Sequence, residues 1–69
     1  MITVEMFSYL LNQCVVNGWL TQPQAQVAHM YSGGKDIDLY MLERIIDFQL
    51  QAMSLSEAIE IIEQQFIIG

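Results

Sequence analysis

Between Ile37 and Met53 the chain has no glycine or proline, and apolar residues fall on most sides of a helix drawn through it. Leu39, Leu42, Ile46, Leu50 and Met53 form one ridge. Ile37, Met41, Ile45, Phe48 and Ala52 form a second. Together the ridges cover about 220° of arc, far more than the roughly 100° stripe of an ordinary surface helix. Glu43, Arg44, Asp47 and Gln51 mark the narrow wet side. A helix of this kind must be covered on several sides, either at the centre of a bundle or shared with a partner.

Three other segments can supply that cover. Val4, Phe7, Leu10, Leu11, Cys14 and Val15 recur at helical spacing after Thr3, a residue suited to an N-cap, and Asn17-Gly18 supplies a stop. Thr21-Gln22-Pro23-Gln24 opens a second helix with a capping-box pattern and a proline in the first turn, where it loses no hydrogen bond. Its apolar face is thin, and Ser32-Gly33-Gly34 ends it. Ser54-Leu55-Ser56-Glu57 is another capping box. Leu55, Ala58, Ile59, Ile62 and Phe66 then line one face, opposite Glu57, Glu60 and Glu63. The β-branched content of 60–68 also permits a strand, but the cap and the spacing favour helix. The expected fold is all-α: a single domain over 1–69, a small bundle of four short helices near 3–17, 22–32, 37–53 and 55–66. Short links favour antiparallel neighbours.

Size and composition limit how such a bundle is stabilised. With 69 residues and one cysteine, no intrachain disulfide can form. Cys14 and His29 are too few for a structural zinc site, which takes about four such ligands, and no cofactor is expected. Hydrophobic residues make up 54% of the chain and charged ones 14%, against about 25% charged in typical globular domains. That apolar excess points to oligomerisation. The expected assembly is a homodimer, with Ile37, Met41, Ile45, Phe48 and Ala52 as the partner interface. Tyr9, Val16, Met30, Ile67 and Ile68 fall outside the core faces and add to the apolar surface.

The net charge of −6 argues against nucleic acid and anionic lipid, because phosphate binding needs many Lys and Arg. The longest purely apolar runs are far shorter than the roughly twenty residues of a membrane span. The first residues lack the basic region of a secretory signal, so the expected location is cytoplasmic.

Ser32-Gly33-Gly34-Lys35-Asp36 is the one stretch with the look of a motif. Its letters resemble the phosphate-binding loop of ATP pyrophosphatases, in which Ser-Gly-Gly-x-Asp-Ser follows a strand. Here Ile37 stands at the final serine and no strand precedes, so the stretch reads as a helix stop, a turn and an N-cap. His29 lies on the polar side of a short helix and reads as solvated surface. Cys14 reads as a small buried hydrophobe.

These features indicate a non-enzymatic protein–protein interaction module: a small acidic adaptor or inhibitor of a kind that mobile elements also encode. Its acidic surface suits a protein partner with a basic one. A helix–turn–helix regulator is an alternative, from the order of the second helix, a glycine turn and the third helix. Its recognition helix would, however, begin with Asp36 and Asp38. A binder of small apolar ligands, using a dimer crevice near Trp19 and Tyr31, is a further alternative.

Overall fold

The computed structural model describes residues 1–50 and 53–66. Among these residues there are four helices and no strand: α1 (Val4–Val16), α2 (Gln22–Ser32), α3 (Leu39–Gln49) and α4 (Leu55–Phe66). α1 packs on α2 and α4, α2 on α3, and α3 on α4, so the helices close into a ring in chain order.

The ends of the helices follow the chemistry of their caps. Thr3 Oγ1 accepts a hydrogen bond from the Met6 amide. In the Thr21 capping box, Gln24 N–H donates to Thr21 Oγ1, and Thr21 N–H donates to Gln24 Oε1 at 2.9 Å. Ser54 and Glu57 repeat this exchange at the start of α4. Asn17 closes α1, and Gly33 closes α2 in the left-handed region at φ +63°, where a residue with a Cβ is strained.

The third helix is shorter than its sequence pattern suggests. Asp38 caps it, and the chain leaves helical geometry at Leu50, φ −113° and ψ 47°. The Met53 amide bonds back to the Leu50 carbonyl, and Leu50 and Met53 are both buried. With both side chains in the core, the packing gain at these two residues outweighs continuing the helix past Gln49.

The core draws on every helix. Phe7, Leu10, Cys14, Leu42 and Ile62 are its largest fully buried side chains. α2 contributes only Ala25 and Ala28 among its buried apolar residues, in keeping with its thin apolar face. Ile2 and Ile37 join the core from outside the helices. Their backbones form an antiparallel bridge, with each amide donating to the other's carbonyl at 2.8 Å. Asp36 Oδ1, beside that bridge, accepts from the Val4 amide at 3.2 Å. The Ser-Gly-Gly-Lys-Asp stretch therefore stops α2 and helps to cap α1.

The two ridges of the third segment divide differently from the sequence expectation. Leu42, Ile46, Leu50 and Met53 are buried as expected, but Leu39 is 50% exposed. Ile37 and Ile45, expected at a partner interface, are buried in the core. Ile37 lies before the helix begins, so helical spacing does not govern its direction. Ile45 falls inside the stripe of Leu42, Ile45 and Ile46 that faces the neighbouring helices.

Candidate functional site

α2 and α3 meet along a hollow of about 200 Å³ lined by Tyr31, Met41, Arg44, Ile45 and Phe48. Tyr31 comes from the last turn of α2. Met41, Ile45 and Phe48 follow one another at i, i+4 and i+7 on α3, which puts them on one face. Ile45 is buried and forms the floor, while Tyr31, Met41 and Phe48 stand exposed around it, Phe48 at 68%. The Arg44 guanidinium lies 6.0 Å from the centre of the Tyr40 ring, within range of a cation–π attraction that steadies it at the rim.

The structure thus brings together Met41, Ile45 and Phe48 of the expected interface and adds Tyr31 and Arg44. Ile37 sits elsewhere in the core, and Ala52 lies outside the described residues. The volume is below the roughly 300 Å³ at which small-molecule sites begin, and it suits one inserted side chain better than a free ligand. Trp19, expected beside Tyr31 in a ligand crevice, is not part of this lining.

A second, larger depression runs between α1 and α2, with a volume of about 530 Å³. Leu11, Val15, Ala25 and Met30 give it apolar surface. Asn12, Gln22 and Gln26 add amides, and Ser8 and His29 complete it. His29, expected as solvated surface, is half-buried here: its Nε2 and the Ser8 Oγ share a hydrogen bond at 3.1 Å, and its ring lies 6.3 Å from that of Phe7. A Ser–His pair can support nucleophilic chemistry when an acid orients the imidazole. The lining of this groove contains no carboxylate, so the pair reads as a polar contact between two helices.

The two depressions differ in charge. From Met6 to Gly34 the chain has no Asp, Glu, Lys or Arg. The whole of α2, most of α1 and the groove between them are therefore free of these residues. All the acids except Glu5 lie from Asp36 onward. Asp36, Asp38, Glu43 and Asp47 are exposed on and before α3, and Glu57 and Glu60 on α4. This uncharged run was visible in the sequence, but helical spacing alone does not reveal it. It becomes a surface only when α1 and α2 pack side by side.

Among the described residues no cluster of His, Cys, Asp or Glu could hold a metal ion, and no helix is long and apolar enough to cross a membrane. No protein-family model matches the chain, nor does any curated protein or solved structure.

Proposed function

We propose that the protein is a non-enzymatic interaction module that binds a partner protein at the Tyr31–Met41–Phe48 hollow. The observation that carries this reading is the hollow itself. Three large apolar side chains from two helices stand exposed around a buried isoleucine floor, and exposed apolar surface gathered in this way marks interaction sites. Aromatic residues, Met and Arg are the side chains that interface centres favour. The exposed carboxylates of Glu43 and Asp47 on the same helix would steer a partner with a basic rim and repel an acidic one.

Asp36 and Asp38, exposed at the start of α3, weigh against DNA as the partner, because phosphates would approach there.

The test is capture from the native host with immobilised wild-type protein, alongside Phe48→Asp and a surface control, Gln64→Lys. Phe48 is 68% exposed, so its replacement leaves the core intact. The proposal expects a protein retained by wild type and by the control and lost with Phe48→Asp, its retention weakening as salt is added. Equal retention by Phe48→Asp would overturn it.

A further inference from the structure

The groove between α1 and α2 combines features found nowhere else on the described surface. It is bordered by α2, which has no Asp, Glu, Lys or Arg, and by the part of α1 after Glu5, which has none either, in a chain whose net charge is −6. Two such chains repel each other through every face that carries carboxylates. The face built from Met6–Gly34 is one that two copies can bring together without placing acid against acid. Met30, which is exposed, and Leu11, Val15 and Ala25 give the groove's lining an apolar character, in keeping with the low charge of interface cores.

We infer that a second copy of this chain docks on this groove, with the two α2 helices antiparallel about a two-fold axis near Gln26. Gln22, Gln26 and Met30 follow one another by single turns on α2, all bordering the groove. An axis at Gln26 sets each Met30 over the partner's Gln22 turn, about 6 Å to either side. Met30 is 76% exposed and is unbranched and flexible, so it can enter a groove floored by Leu11, Val15 and Ala25. At the axis the two Gln26 side chains face each other. An amide carries both a donor and an acceptor, so it pairs with its own copy, which a carboxylate or an ammonium group cannot do. Closed two-fold pairing is the commonest symmetry among oligomers. This inference does not rest on the partner site at Phe48, which lies on the α3 side of α2.

Sedimentation equilibrium at tens of micromolar tests the assignment. Wild type is expected at twice the chain mass of 7.9 kDa. Added salt should tighten the dimer by screening the net repulsion, the reverse of its effect on a basic partner. Gln26→Glu and Gln26→Lys, each alone, should associate at least tenfold more weakly with unchanged helicity by circular dichroism. Mixing the two should restore a heterodimer, because opposite charges then meet at the axis. Gln26 is exposed, so both variants retain the core. Phe48→Asp should leave the dimer intact, which separates this interface from partner capture. A monomeric wild type, a mixture no more associated than its components, or a dimer lost with Phe48→Asp and retained with Gln26→Glu would each overturn the inference.

Discussion

The Cys14 thiol has no solvent-exposed surface, and burial pushes its pKa from the ordinary 9.0 up to about 11. Desolvation penalises the thiolate, so the folded protein keeps a proton that the unfolded chain releases. Its stabilising contribution is fully present below pH 9 and is lost as pH rises toward 11. At about pH 10 wild type should have lost about 1 kcal/mol relative to neutral pH through this one group. Urea unfolding at both pH values, with Cys14→Ala as the reference, isolates the effect from the tyrosines. Equal pH dependence in both proteins would show that the thiol is not desolvated. The same burial protects the thiol from chemistry, since the reactive form is the thiolate. The Ser8–His29 hydrogen bond is a second case in which surroundings decide a side chain's role. Placing it between α1 and α2 turns a histidine from the polar side of a helix into a packing group.

At the scale of elements, helix ends carry much of the local specification. α1 is capped from two places, by Thr3 next to it in sequence and by Asp36 across the fold. Asp36 also places a carboxylate near the positive end of the helix dipole. Asp36→Ala should therefore cost about 1 kcal/mol in thermal or urea unfolding. Asp36→Asn, which keeps an acceptor, should cost less, and no change in either variant would mean that Thr3 suffices. Gly33 tests a different property. No atom lies within 4 Å of where its Cβ would be, so Gly33→Ala meets no clash, only the strain of φ +63°. That strain should lower stability by about 1 kcal/mol. An alanine tolerated at no cost would indicate that the chain relaxes out of the left-handed region there. The early end of α3 has no cap signal of this kind, because the burial of Leu50 and Met53 sets it.

For the whole molecule, the closed ring of four helices hides one face of each and leaves an outer surface of uneven character. The radius of gyration is 10.7 Å, close to the roughly 11 Å of a compact domain of this length. The apolar excess therefore does not come from a loosely packed chain. It sits on the surface, at Met30, Tyr31, Tyr40 and Phe48 among others, and it is divided between an uncharged face and an acid-flanked one. A double variant, Met30→Ser with Phe48→Ser, should keep wild-type helicity and a thermal midpoint within a few degrees, because neither side chain belongs to the core. It should also be more soluble than wild type at low salt. A large drop in the midpoint would place these residues in the folding core after all.

Local chemistry was legible in the residues themselves. The hydroxyl–amide caps at Thr3, Thr21 and Ser54, the stop at Gly33, and the apolar spacing of α1 and α4 each depend on groups within a few positions of one another. They determined four helices and most of their ends. The ridge of Met41, Ile45 and Phe48 was legible too, as three residues on one face. Which of the three would be covered was not, because that depends on where α2 and α4 lie against α3. Ile37 went to the core through a backbone bridge with Ile2, Asp36 became a cap for a distant helix, and Tyr31 joined Phe48 across an interhelical gap. Spacing within a helix carries no record of contacts between residues far apart in the chain. Tertiary packing alone turned an uncharged run and an acidic one into two different faces.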